Sequence, residues 1–321
     1  MLKKNIKKIL EKAHYSVVGK HSAVQICRWT KKSLIDEGFC YKEKFYGIKS
    51  HLCCQMSPYI SCQNECVHCW RPIELESGVS IKPRIKEINS PKKIISDCIK
   101  AQRKLLSGFG GNDKLNLKKF KEAQEPKLFA ISLIGEPTIY PKLGELIKEL
   151  KKQNKQSFLV TNGLYPKKLL ELKKKNQLPT QVYVSLNSPN KEMYLKWHRS
   201  KEKNAWGKFN QTLELLPKLN TRKVIRMTLV KDLNMKNTKE YAQLIKKASP
   251  DFIEIKGFMS VGFSRKRLGY DRMPNHKEIK EFSKKIEREL KKERYKFLDE
   301  KIESRVVLLG KDKSEMFIKN C

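Results

Sequence analysis

Cys62, Cys66 and Cys69 stand in the run Ser61-Cys-Gln-Asn-Glu-Cys-Val-His-Cys-Trp-Arg71, a C-x3-C-x2-C spacing. Three thiolates this close can hold three irons of a 4Fe–4S cluster and leave the fourth iron without a protein ligand. An open iron can bind a small molecule, unlike the four-thiolate ligation of a plain electron-transfer ferredoxin. Zinc is the competing chemistry. It takes four N/S ligands, often from paired C-x2-C units. His68 offers a nitrogen inside the triplet, yet no second C-x2-C follows downstream.

A second set lies ahead of the first. Cys27, Cys40 and Cys53 are spaced C-x12-C-x12-C. Three further thiolates suit a second 4Fe–4S cluster, again with one open iron; buried structural cysteines are the alternative. Cys54 adjoins Cys53, so the spacing leaves open which of the two would ligate.

These groups need a scaffold to position them. Strands are expected at Leu128–Leu133, Ser157–Thr161, Gln181–Leu186, Lys223–Val230 and Phe252–Lys256, with a first one near Lys49–Met56. Helices are expected from Ser90-Pro91 to before Gly108, over Pro141–Asn154, Tyr165–Lys175, Trp206–Leu216 and Thr238–Ala248, and over His276–Arg294. Ser90-Pro91 reads as an N-cap followed by proline at the first helical position. Such alternation builds βαβ units and a parallel sheet. Parallel α/β barrels place their chemistry at the C-terminal strand ends. The stretch Ser107–Gln124, with its glycines and lysines, is expected to be a surface loop. Residues 1–14, apolar at Leu2, Ile6, Ile9 and Leu10, read as a basic amphipathic helix that packs on the domain.

Three short motifs fall at strand ends. Gly135-Glu136-Pro137-Thr138 follows the second strand; glycine lets backbone approach a ligand, and a carboxylate can pair with an ammonium. Thr161-Asn162-Gly163 follows the third, where Asn-Gly is also an ordinary turn dipeptide. Ser185-Leu186-Asn187 closes the fourth, as a hydrogen-bonding pair or a nearby helix cap.

The cysteine triplet with Trp70 beside it, together with the Gly-Glu-Pro and Thr-Asn-Gly elements, resembles the radical S-adenosylmethionine (SAM) enzymes. The resemblance implies an α/β fold: a partial (β/α)6 TIM-like radical SAM barrel over residues 49–321, with C-terminal basic helices and an N-terminal cysteine-bearing extension over residues 1–48. It implies SAM on the open iron of the Cys62, Cys66 and Cys69 cluster, lined by Gly135, Glu136, Pro137, Thr161, Asn162, Ser185 and Asn187, with Lys256-Gly257-Phe258-Met259 at the end of the sixth strand as a wall for adenine.

The upstream run Phe39-Cys-Tyr-Lys-Glu-Lys-Phe-Tyr-Gly-Ile-Lys-Ser-His-Leu-Cys53 is similar to the 4-demethylwyosine synthase family of that superfamily. So are Trp70-Arg71-Pro72, Ser264-Arg265 and Met273-Pro274-Asn275-His276. This implies two 4Fe–4S clusters, pyruvate as a two-carbon donor, and tRNA(Phe) bearing N1-methylguanosine at position 37. It also implies that Lys42 forms a Schiff base with pyruvate; the residues alone do not separate Lys42 from Lys44. Trp70, Arg71, Arg265, Lys266 and Arg267 are candidates for stacking or phosphate contact with the tRNA, as are Trp197, His198 and Arg199. Only 26 residues precede Cys27, fewer than the flavodoxin-like domain of larger family members needs, so a separate electron donor is expected.

Composition agrees with this reading. The chain has 321 residues, 39% of them hydrophobic, enough for a folded core. Lys plus Arg total 70 against 34 Asp plus Glu, a net charge of +36 that fits a nucleic-acid partner better than a proteome rich in charge of both signs. Nine cysteines without an N-terminal apolar leader suggest a reducing cytoplasm, not disulfide-rich secretion. No apolar run approaches the ~18 residues of a membrane span. A monomer is expected.

Overall fold

A computed structural model of the chain describes residues 4–73 and 88–318. Helix α1 (Lys4–Lys12) leads into a hairpin of β1 (Ser16–Val18) and β2 (Ser22–Gln25). Two short helices, α2 (Arg28–Leu34) and α3 (Tyr41–Tyr46), precede β3 (Cys53–Ser57). Next come α4 (Pro91–Leu106), α5 (Leu117–Ala123), β4 (Leu128–Ile131), α6 (Leu143–Lys152), β5 (Gln156–Thr161), α7 (Pro166–Lys174) and β6 (Gln181–Ser185). They are followed by α8 (Lys191–His198), α9 (Ala205–Leu215), β7 (Arg222–Leu229), α10 (Thr238–Ala248) and β8 (Phe252–Gly257). The described chain closes with α11 (His276–Glu289), β9 (Lys296–Lys301) and β10 (Val306–Gly310).

The strands form one sheet in the order β1-β2-β3-β4-β5-β6-β7-β8-β10-β9. Neighbours from β3 to β8 pair in parallel, and these six strands with their helices are the expected partial (β/α)6 barrel. Both hairpins add antiparallel at its edges, β2 on β3 and β10 on β8. Side chains alternate across a strand with period two. One parity, Leu159, Val182, Val184, Ile225, Ile253 and Ile255, packs outward with Leu146, Leu169, Leu213, Ile245 and Ile279 of the covering helices. The other parity, Phe158, Tyr183, Val224 and Phe252, packs inward on Tyr41, Phe45 and Tyr46 of α3. Each such buried side chain contributes roughly 1.5–3 kcal/mol. The expected boundary at 48/49 thus has one shared core on its two sides.

Helix ends follow the sequence signals. Ser90 accepts a hydrogen bond from the Lys93 N–H at 3.4 Å, with Pro91 behind it, and Asn275 and Glu278 form a reciprocal capping box on α11. Elsewhere the structure differs. The stretch expected to be a loop contains α5, capped by Asn116 and seated through Ala123 near Leu34 and Leu106. Five lysines and glutamates in the vicinity hid this short apolar face. The first barrel strand starts at Cys53, because Ser50–Leu52 form a 3-10 turn. Ile6 and Leu10 of α1 pack with Tyr15, Ala23, Ile60 and Leu133, as expected for a domain helix; Leu2 lies outside the described residues. Among the described residues no helix is long and apolar enough to cross a membrane.

Candidate active site

Cys62, Cys66 and Cys69 occupy the loop after β3. A distant segment holds that loop by backbone hydrogen bonds: Glu65 N–H to His198 O at 2.9 Å, Val67 N–H to Trp197 O at 3.2 Å and Lys201 N–H to Gln63 O at 2.9 Å. Arg267 Nε donates to Val67 O at 3.1 Å, and its Nη2 to Cys69 O. Cys62 Sγ receives the Asn64 N–H at 3.4 Å and Asn162 Nδ2 at 3.6 Å, while Cys66 Sγ lies 3.0 Å from His198 Nδ1. Burial pushes the Cys62 thiol up to about 11, with Arg71 opposing and Glu136 adding to the rise. Burial also raises Cys66, and the charges of Cys69 and Cys62 raise it further, so the three thiols face one another. His198 is pulled down to about 3 and His68 to about 4 by burial, which keeps both imidazoles neutral beside the loop.

The strand-end motifs close around this loop. Gly135 has φ +76°, and a Cβ there would collide with the carbonyl oxygen of Tyr59 and the backbone of Ile60. Glycine is required because two backbones meet there. The Glu136 carboxylate is buried and accepts from Thr138 N at 3.1 Å, Thr138 Oγ1 at 2.5 Å, Thr161 Oγ1 at 2.7 Å and Asn162 N at 2.8 Å. Burial raises its pKa against these hydrogen bonds. The side chain locks the two turns together. Pro137 begins the short turn between them. Ser185 ends β6, and Asn187 receives the Thr228 N–H at 2.8 Å while its Nδ2 lies 3.4 Å from His68 Nε2.

The second set assembles on the inner face of the barrel. Cys27 and Cys40 precede α2 and α3, and Cys53 opens β3. Cys40 N–H donates to Ser50 Oγ at 2.8 Å, and Ser50 Oγ donates to Glu43 at 2.5 Å, which fixes the start of α3. Burial pushes Cys40 up to about 11 and Cys53 up to about 12; Cys27 adds to both and Lys42 opposes both. Cys40 and Cys53 thus each feel the fields of Cys27 and Lys42. Cys54 points the other way, fully buried with Cys98 on the outer face, so Cys53 is the one of the pair that faces Cys40. Lys42 Nζ stands 5.3 Å from the Phe158 ring and 5.2 Å from the Tyr183 ring. Lys44 is exposed and bound to Asp299 at 2.8 Å. Structure thus separates two lysines that sequence left level.

Among the described residues no His, Cys, Asp or Glu group already stands as the ligand set of a single metal ion. Each set offers three half-buried thiols, the donor type an iron–sulfur cube takes, with N–H donors beside Cys62 and the cation of Lys42 near Cys40.

Several roles were not legible: Arg226 and Glu254 were not singled out, and Lys256 was read only within the run that ends the sixth strand. Glu254 is fully buried and accepts from Tyr41 Oη at 3.0 Å and Tyr46 Oη at 2.8 Å, with Arg226 Nε 3.7 Å away. Lys256 Nζ donates to Ser304 O at 2.9 Å and lies 5.5 Å from the Tyr41 ring. Burial, helped by the charge of Arg226, pulls Lys256 down to about 8. The signal was there: Arg226, Glu254 and Lys256 interrupt apolar strands at the inward parity. Two expected tRNA contacts need correction. Arg71 is 2% exposed and donates to Asn64 O at 2.8 Å, and Arg267 is turned onto the cysteine loop. Both guanidinium groups hold backbone carbonyls of that loop. Trp197 and His198 are buried against it as well. Trp70, Arg265 and Lys266 remain at the surface, joined by the Phe263 N–H to Trp70 O bond of 3.1 Å.

Comparison with known proteins agrees with this geometry. Residues 56–245 match the Radical SAM superfamily, and residues 247–311 match Wyosine base formation. The chain is 46% identical to the S-adenosyl-L-methionine-dependent tRNA 4-demethylwyosine synthase of Pyrococcus abyssi, over 95% of this chain and 88% of that one. It is 37% identical to the Methanocaldococcus jannaschii protein of the same name, over 96% of each. A solved structure, TYW1 with a lysine-pyruvate adduct bound, superposes with a TM-score of 0.84 at 34% identity, covering 100% of this chain and 99% of that one. The chain belongs to the radical SAM superfamily and, within it, to the family of tRNA 4-demethylwyosine synthases.

Proposed function

We propose that this enzyme condenses N1-methylguanosine at position 37 of tRNA(Phe) with two carbons of pyruvate, forming tricyclic 4-demethylwyosine in wyosine derivative biosynthesis. The observation that carries this reading is Lys42, held between Phe158 and Tyr183 and facing the thiols of Cys40 and Cys53. The similar solved structure bears a lysine–pyruvate adduct.

In this reading Cys62, Cys66 and Cys69 hold the SAM cluster, and Cys27, Cys40 and Cys53 hold the second. When bound, the clusters and SAM supply an electron and a 5′-deoxyadenosyl radical that takes hydrogen from the N1-methyl group. Gly135, Glu136, Pro137, Thr161, Asn162, Ser185 and Asn187 shape the SAM side. The neutral amine of Lys42 attacks the ketone carbon of pyruvate and water leaves, giving an imine. The N1-methylene radical carbon bonds to the imine carbon, the carboxylate leaves with the unpaired electron, and the exocyclic amine displaces the Lys42 amine with loss of a proton, which closes the third ring and frees the lysine.

Position 37 lies in a stacked anticodon loop, so its base must be presented or flipped. The net charge of +36 and the exposed Trp70, Arg265 and Lys266 support an RNA face beside the cysteine loop. A separate electron donor, a reducing cytoplasm and a monomeric enzyme complete the reading.

The test is turnover. Anaerobically reconstituted protein receives dithionite, SAM, pyruvate and tRNA methylated at N1 of guanosine 37. Nucleoside mass spectrometry is expected to find the tricyclic base together with 5′-deoxyadenosine. Deoxyadenosine without that base would instead mark a radical SAM enzyme of another RNA or peptide substrate.

A further inference from the structure

The inner face of the barrel carries more positive charge than it needs to fold. Lys42, Arg226 and Lys256 bring cations to the space beside Cys40, and both lysines lower the pKa of that thiol. Their partners differ. Arg226 is matched by Glu254, whose carboxylate is also held by Tyr41 and Tyr46. Lys256 forms no ion pair among the described residues: its amine donates to the Ser304 carbonyl at 2.9 Å and lies 5.5 Å from the Tyr41 ring, while Glu254 and Cys40 act on it only through their fields. A half-buried ammonium with no carboxylate against it is open to an anionic ligand.

Arg226 is matched by Glu254, whereas Lys256 forms no ion pair among the described residues; the two-carbon donor is a 2-oxo acid whose one carboxylate would supply it. Strand parity aims Lys256 at that donor: Phe252, Glu254 and Lys256 alternate with outward Ile253 and Ile255.

We propose that Lys256 binds the carboxylate of the 2-oxo acid carried by Lys42, and so selects an acid over a neutral ketone. This rests on the reading of Lys42 given above. Lys42 supplies the covalent bond, and Lys256 supplies recognition. Arg226 is already committed to Glu254 and does not take that role.

The test is reductive trapping on reconstituted enzyme without SAM or tRNA, so no turnover is needed. Pyruvate and acetone are compared, the second being a ketone that lacks the carboxylate. Condensation of the lysine amine with the ketone carbon expels water. Cyanoborohydride then delivers hydride to the imine carbon, and a proton from water completes a stable secondary amine. The added mass is read on the Lys42 peptide. Lys256→Gln is expected to raise the pyruvate concentration for half-maximal trapping about tenfold and to leave acetone trapping unchanged, with Lys256→Arg close to wild type. Unchanged acetone trapping also shows that the variant is folded. Equal loss with both ketones would overturn the proposal, because Lys256 would then act on Lys42 or on the fold. No change with either would overturn it too. Trapping at a lysine other than Lys42 in the wild type would refute the Lys42 reading, while the pyruvate-to-acetone ratio at that lysine would still judge Lys256.

Discussion

The two cysteine sets are held by opposite means. Cys62, Cys66 and Cys69 lie in one loop, and backbone hydrogen bonds from the end of α8 and the side chain of Arg267 fasten it. Its near neighbours include two imidazoles kept neutral by burial. Cys27, Cys40 and Cys53 come from three places in the chain, and cations from β7, β8 and α3 surround them. The first set is seated by backbone hydrogen bonds, with Arg71, Arg267 and the buried Glu136 beside it. The second lies among Lys42, Arg226 and Lys256, the surroundings that the proposed capture of a small acid would use.

Removing one functional side chain from each region breaks the comparison most sharply. Cys66→Ala is expected to abolish deoxyadenosine formation and to drop iron from about eight to about four atoms per chain, measured by chromatography and iron assay. Lys42→Ala should keep deoxyadenosine formation and lose the tricyclic base by at least ~10³-fold, because the covalent hold on pyruvate is gone. Intact adduct formation in that variant would remove Lys42 from the second set's chemistry.

Smaller changes probe the seat of the first set. Gly135→Ala forces a Cβ onto the Tyr59 and Ile60 backbone at φ +76°, at a cost of about 2–4 kcal/mol, read as a lowered denaturation midpoint. The buried imidazoles give a pH signature. Their folded pKa values, about 4 for His68 and about 3 for His198, lie below the ordinary 6.5. Stability from them is therefore complete above pH 6.5 and is lost as pH falls toward 4, by about 1–3 kcal/mol. His198→Gln should flatten that decline in denaturation curves taken between pH 7 and 4.5; an unchanged slope would place the proton elsewhere.

Legibility followed locality. The Cys62–Cys69 spacing, the Gly135 and Thr161 turns and the six parallel strands could be read because each signal fits within about ten residues. The hairpins β1–β2 and β9–β10 escaped because their strands are short and add to the edges of a sheet already counted. Arg71 and Arg267 looked like phosphate contacts because a guanidinium in a sequence shows its charge and hides its direction; the buried Arg71 and the half-buried Arg267 both donate to loop carbonyls. Cys53 and Cys54 were inseparable by spacing, and strand parity separated them. Lys256 was read only as part of a wall ending the sixth strand, because its neighbours Cys40 and Tyr41 lie more than 200 residues away in sequence.

The division of labour between the two sets is tested most directly by comparing wild type and Cys40→Ala side by side, anaerobically, with dithionite, SAM, pyruvate and N1-methylated tRNA. The expected result is deoxyadenosine from both proteins and the tricyclic base from wild type alone. Tricyclic base from Cys40→Ala at the wild-type rate, or loss of deoxyadenosine along with it, would contradict two separable sets.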